Sequence, residues 1–80
     1  MGRRTHSPID DPIEKAVRDV REARRALSLM YAEMEDIAET LPPGLRRRAE
    51  RIIDMFLDAR IDAEDALRMI RRLREMAEKR

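Results

Sequence analysis

The feature that most constrains the fold is an apolar repeat that runs without interruption from Pro12 to about Thr40. Apolar residues recur there at alternating spacings of four and three, which is the period of one face of an α-helix. The repeat consists of Ala16, Val20, Ala23, Leu27, Met30, Met34, Ile37 and Leu41, widened by Ile13, Val17, Tyr31 and Ala38. The pattern predicts a single helix over about 12–40, roughly 43 Å long at 1.5 Å per residue.

Both ends of this first helix carry local signals. Asp11 stands at the N-cap position, Pro12 follows at the first helical position, and Glu14 has the spacing of a capping box. Pro42 and Pro43 end the helix, because the residue before a proline is driven out of the α region and proline has no N–H to donate. Residues 1–10 show no apolar period, so we expect a flexible N-terminal arm before a single helical domain over 11–80.

Two shorter helices follow the Pro-Pro-Gly turn. The second is predicted over about 43–59 and is apolar around most of its girth, which indicates that it is covered on two sides. The third is predicted over about 63–79, with Asp62 as N-cap and an inward face of Ala66, Leu67, Ile70, Leu73 and Ala77. The short link between them makes the two helices antiparallel neighbours. The fold class is therefore all-α: a three-helix protein with a long first helix and a shorter antiparallel hairpin.

The unequal lengths of the helices predict an uncovered surface. Helices of about 17 residues are roughly 25 Å long and cannot cover a first helix of roughly 43 Å. We expect residues 26–41 to find partners in the hairpin, whereas the apolar residues before them find none. Contiguous exposed apolar surface usually marks an interface. The interface residues that we predict are Ile13, Ala16, Val17, Val20, Ala23 and Leu27.

The simplest occupant of that surface is a second copy of the chain. A twofold dimer with antiparallel first helices would let each copy cover the other, and a helix from a different partner is the variant of this interpretation. Two alternatives need no partner. The first helix bends or frays near residues 18–25, or the segment 7–10 folds back over the stripe.

An arginine cluster follows the turn and has two interpretations. Its members are Arg46, Arg47, Arg48 and Arg51, and the end of the first helix is acidic at Glu33, Glu35, Asp36 and Glu39. Each charge cluster is unfavourable at its own helix terminus. The first interpretation is that Arg46, Arg48 or Arg51 pairs with Glu35, Asp36 or Glu39 across the turn. The alternative is a nucleic-acid-associated module in which all four arginines contact phosphates.

Composition limits the remaining functions. The formal net charge of the 80 residues is +1, so no global field steers the chain towards nucleic acid or an anionic membrane. Cysteine is absent, which excludes disulfides and thiolate metal sites, and no apolar run is long enough for a membrane span or a signal peptide. We therefore expect a cytoplasmic protein. Asparagine and glutamine are absent too, a composition typical of either a hyperthermophile or a designed helical protein.

The residues that catalysis would need are scarce. His6, the only histidine, lies in the predicted arm, and two glycines do not make a phosphate-binding loop. The carboxylates of the first helix lack the Glu-x-x-His pattern by which helical bundles hold two metals. The methionines after Met1 favour adaptable packing over a ligand site; they are Met30, Met34, Met55, Met69 and Met76. We expect no enzyme, no cofactor and no metal.

One resemblance to an enzyme family bears on that expectation. A long first helix, a proline-containing turn and the stretch Arg48, Glu50, Arg51 resemble the all-helical chorismate mutases, dimers whose long helices line an arginine-rich pocket for a dianionic substrate. In that family a lysine near the end of the first helix helps to hold the substrate. Residues 33–39 of this chain are acidic instead and would repel a dianion, so the resemblance does not change the expectation.

Overall fold

The computed structural model describes residues 11–79 and contains three helices: α1 (Pro12–Thr40), α2 (Pro43–Leu57) and α3 (Ala63–Glu78). The all-α, three-helix prediction is confirmed, and so is the disparity in length between α1 and the hairpin. Two residues separate α1 from α2, so α2 folds straight back along the end of α1, and α3 returns beside both. The predicted arm at 1–10 lies outside the described residues.

Aspartates cap the starts of α1 and α3 as the sequence predicts. Asp11 Oδ1 accepts the N–H groups of Ile13 at 2.9 Å and Glu14 at 3.3 Å. Asp62 Oδ1 accepts the N–H of Asp65 at 2.8 Å. These bonds satisfy backbone donors that the first turn of a helix leaves free, so both starts are fixed by local chemistry.

The end of α2 is two residues earlier than the sequence suggests. The N–H of Ala59 donates to Phe56 O at 3.0 Å and the N–H of Arg60 to Met55 O at 2.9 Å. Ala59 itself has a φ of 62°, in the left-handed region. This is the Schellman arrangement that reverses a chain after a helix, formed here with alanine where glycine is usual. The reversal starts at Asp58, so α2 has 15 residues.

Each helix packs against the other two, and their contact forms one apolar core. Met34 and Ile70 are the largest fully buried side chains, and Ala49 and Ala66 are also fully buried. The other buried core residues are Ile37, Ala38, Leu41, Leu45, Ile53, Ala63, Leu67 and Leu73. Alanine at 49 and 66 leaves room for close helix contact. The whole core lies between residues 34 and 73, at one end of α1.

The inward faces of the hairpin helices agree with the sequence pattern, with one exception. In α3 the predicted residues are buried or pack against the core, and Met69 and Met76 lie at its margins. In α2 the coverage on two sides is confirmed for Leu45, Ala49 and Ile53 but stops before the last turn. Leu57 is 60% exposed, because the last turn of α2 extends past the covered part of α1.

Candidate interaction surface

The first half of α1 has no covering element among the described residues. Every residue from 12 to 29 is exposed; Met30 is the first half-buried residue of α1 and Met34 the first fully buried one. The sequence predicts that cover begins at residue 26, and that boundary is wrong. Ile53 is the last buried residue of α2, so the hairpin stops covering α1 about one turn earlier than two 17-residue helices would. The uncovered segment is therefore longer than expected.

The predicted interface residues lie on one face of this segment. Its four large members are exposed to the following fractions: Ile13 72%, Val17 44%, Val20 55% and Leu27 44%. Ala16 and Ala23 lie between them and are exposed as well. We call these six residues the apolar stripe. Leu29, 66% exposed, does not belong to it, because nine residues of helix place it opposite Val20.

Local interactions hold the uncovered segment in helical form. Besides the Asp11 cap, Lys15 Nζ lies 2.9 Å from Asp19 Oδ2, one turn further along the helix. Both partners are more than half exposed, and such pairs contribute about 0.2–0.5 kcal/mol. Every residue of 12–29 is exposed, so little burial adds to this, and we expect the segment to be the least stable part of the described helices.

A shallow depression marks the first turns of the stripe. It has a volume of about 380 Å³ and is lined by Ile13, Val17, Glu14, Arg18 and Arg21. Two of the lining side chains are apolar and three are charged, so the depression lies where the apolar stripe meets the charged flank of the helix.

Contacts among residues 11–79 explain only part of the arginine cluster. Arg46 Nη2 donates to the backbone oxygen of Glu39 at 2.9 Å. The guanidinium thereby satisfies a free carbonyl at the end of α1 and places a positive charge at the negative end of the helix dipole. This contact joins α1 and α2 across the turn, as the sequence predicts, but through a backbone oxygen instead of a carboxylate.

No ion pair joins the arginine cluster to Glu35, Asp36 or Glu39 among residues 11–79, so the predicted pairing is wrong there, and two carboxylates at the end of α1 have other partners. Arg71 of α3 donates from Nε and Nη2 to Glu33 Oε2 at 2.9 and 2.6 Å. Glu35 Oε2 accepts the hydroxyl of Tyr31 at 3.2 Å. That hydrogen bond, together with the carboxylate charge, raises the pKa of Tyr31. Arg71 reaches Glu33 because α3 packs alongside α1. No local sequence pattern indicates that proximity.

The other three arginines of the cluster are exposed on the first turns of α2. Arg51 lies four residues after Arg47 and three after Arg48, so the three side chains share the outer face of the helix. None of them forms an ion pair with a described residue. Asp54 and Asp58 continue the same face, so its basic part extends for only two turns.

A second groove separates α1 from α3. It has a volume of about 610 Å³, with Met30 and Leu67 as its apolar lining. Its charged lining residues are Glu64, Asp65, Arg68, Arg71, Arg72 and Glu75. Arg68 pairs with Asp65, and Arg71 pairs with Glu33. The charges largely neutralise one another, so the groove offers no concentrated charge to a ligand.

Two searches of residues 11–79 bear on other kinds of site. In this range no group of three or more acidic or histidine side chains is placed to hold a metal ion. None of the described helices has both the length and the apolar content of a membrane span.

Comparisons with known proteins give no relative for this chain: no family model, no curated protein and no solved structure matches it.

Proposed function

We propose that this protein is a non-enzymatic assembly module that self-associates through the apolar stripe of α1. The observation that carries the proposal is an 18-residue amphipathic helical segment, 12–29, whose apolar face is exposed. A second copy is the occupant that we favour, because it brings an uncovered segment of the same length. Two such segments side by side can cover each other's apolar stripe.

The expected affinity follows from the exposed apolar area. The large side chains of the stripe are on average about half exposed. Burying the exposed half of each one contributes on the order of 1 kcal/mol. Eight such side chains in a dimer contribute about 8 kcal/mol, against an association cost of about 4 kcal/mol at the low end of its range. The difference of about 4 kcal/mol places the dissociation constant near 1 mM. The association is therefore reversible and depends on concentration.

Sedimentation equilibrium up to about 1 mM protein tests the proposal. We expect the average mass to rise towards that of a dimer, and Val20→Glu to abolish the rise by placing a charge at the centre of the stripe. Glutamate has a higher helix propensity than valine, so loss of association in this variant does not report loss of helix.

Leu29→Glu is the matched control. It places the same charge on the same segment, on the opposite side of the helix, at an even more exposed leucine. We expect this variant to associate like the parent chain. A parent chain that stays monomeric up to about 1 mM, or two variants that lose association equally, would contradict self-association through the stripe.

A second candidate function is a nucleic-acid-associated module that uses the arginine cluster. The observation that favours it is that Arg47, Arg48 and Arg51 are exposed and form no ion pair with residues 11–79. Arg46 would be the weakest contributor, since it already binds the end of α1. Duplex DNA titrated at two salt concentrations tests this candidate: binding that weakens with salt, and that Arg47→Ala with Arg51→Ala reduces, would support it. Arg72→Ala on α3 is the control.

A further inference from the structure

The apolar stripe alternates large and small side chains. Following the spacing of three and four, its central line reads Ile13, Ala16, Val20, Ala23 and Leu27, and Met30 continues it to the edge of the core. Every second position is alanine. The alternation determines which orientation of a second helix fills the space between the two.

We infer that the two α1 helices pack antiparallel in one register, in which Val20 lies opposite Ala23 of the second copy. The same register places Leu27 opposite Ala16 and Met30 opposite Ile13. This inference rests on the proposed self-association and adds its geometry. Each alanine then meets a large side chain, so the helices can approach closely, at about 8 Å between axes, along the whole contact.

In a parallel pair, each layer of the contact would contain two copies of the same residue. Alanine layers would alternate with layers of two leucines or two valines, leaving gaps at the alanines that the larger layers prevent from closing. The hairpin adds a steric objection. From Met30 onwards, α2 and α3 occupy the face of α1 on which a parallel partner would continue. Two hairpins at the same level would compete for the space between the helices.

One electrostatic effect favours the parallel arrangement. Asp19 and Arg24 flank the stripe at positions that face each other across a parallel pair, whereas the antiparallel pair brings like charges together on each flank. Exposed pairs of this kind contribute about 0–1 kcal/mol each. Collision between two packed hairpins costs more than this, so sterics decide the orientation.

The length of the uncovered segment selects the same register independently. With Ile13 opposite Met30, the first turn of each α1 reaches the point where the hairpin of the other copy begins. A shift that lengthens the overlap would drive the start of α1 into that hairpin. A shift in the other direction would leave part of the stripe exposed. Size alternation and segment length therefore agree on one register.

Disulfide cross-linking of the full chain tests the register, and the absence of native cysteine gives a clean background. Two single variants, Ala16→Cys and Leu27→Cys, are mixed in equal amounts in a glutathione redox buffer, one of them carrying a mass tag. In the inferred register residues 16 and 27 share a layer, close enough for a disulfide. Two copies of residue 16, or of residue 27, lie roughly 16 Å apart along the axis.

We expect the mixed 16–27 product in at least about tenfold excess over either homodimer, because only that pair meets the distance limit of a disulfide. Homodimers in excess would mean a parallel pair and would overturn the inferred register while self-association stands. A chain that sedimentation shows to be monomeric would overturn both.

A nitroxide on Glu39→Cys supplies a second measurement away from the interface. Glu39 is exposed near the end of α1, and in the inferred register the two labels lie roughly 50 Å apart along the axis. In a parallel pair they would lie side by side. Pulsed electron paramagnetic resonance distinguishes the two: a distance near 50 Å supports the register, and a distance below about 30 Å overturns it.

Discussion

Ala59 occupies a backbone conformation that suits glycine. Its φ of 62° costs an L-amino acid about 1–2 kcal/mol, and the two hydrogen bonds that reverse the chain after α2 depend on it. Glycine adopts this region without that cost but loses more backbone entropy on folding. We expect Ala59→Gly to raise the free energy of unfolding by about 1 kcal/mol and the Tm by roughly 4–8 °C. Thermal and guanidinium unfolding measure both.

Ala32→Gly is the control for that substitution. Ala32 is exposed within α1, where glycine costs about 1 kcal/mol relative to alanine. The same chemical change should therefore have opposite signs at the two positions. Equal destabilisation by both variants would contradict the left-handed conformation of Ala59.

Tyr31 reports on the acidic end of α1. Its hydroxyl donates to Glu35 at 3.2 Å, and this bond with the nearby negative charge raises the pKa of Tyr31 above 10.0. A raised folded-state pKa means that the interaction stabilises the fold below the ordinary tyrosine pKa and is lost as pH rises through the folded-state value. Since Tyr31 is the only tyrosine, ultraviolet absorbance titrates it directly. We expect Glu35→Gln to lower its pKa and Glu39→Gln, which is not in contact with it, to leave it unchanged.

Local signals predict individual residues well and long-range partners poorly. Asp11 and Asp62 were predicted as caps, because a cap is determined by its own three or four neighbours. The left-handed Ala59 was missed, since alanine gives no sign of that conformation. Glu33 and Arg71 are 38 residues apart, and only the packing of α3 beside α1 brings them together. Charge patterning within each helix contains no information on that packing.

At the scale of helices, the two aspartate caps have the same chemistry and different tertiary surroundings. Asp62 starts α3, which supplies five buried residues to the core, whereas Asp11 starts a segment that supplies none. We expect Asp62→Ala to lower the free energy of unfolding by about 1 kcal/mol. Asp11→Ala should reduce the helical circular dichroism of dilute protein without shifting its unfolding midpoint, because the first turns can open without exposing the core. Equal midpoint shifts would contradict this separation.

Helix lengths were predictable because prolines and caps mark where helices begin and end. The existence of an uncovered segment follows from those lengths alone. Its end was misplaced at residue 26, since contact along α1 depends on where α2 stops packing and not on where it stops being helical. The stripe itself was therefore found from the sequence. Its boundary at Met30 needed the structure.

For the whole molecule, the separation of core and stripe implies two levels of stability in one chain. The core between residues 34 and 73 opens only with global unfolding, while residues 12–29 need to break only helical hydrogen bonds. In dilute protein we expect amides of 16–29 to exchange at least about a hundredfold faster than buried amides of α3. Hydrogen exchange followed by NMR measures both sets together.

Raising the protein concentration should change the exchange rates of the α1 amides and leave those of the α3 amides unchanged. If the stripe binds a second copy, amides of 16–29 become protected as dimer forms, because opening then requires dissociation as well, whereas α3 amides keep their rates. Val20→Glu should remove this dependence on concentration, and Leu29→Glu should retain it. Uniform protection along α1 in dilute protein would instead mean that something within the chain covers the stripe, for which α2 and α3 are too short.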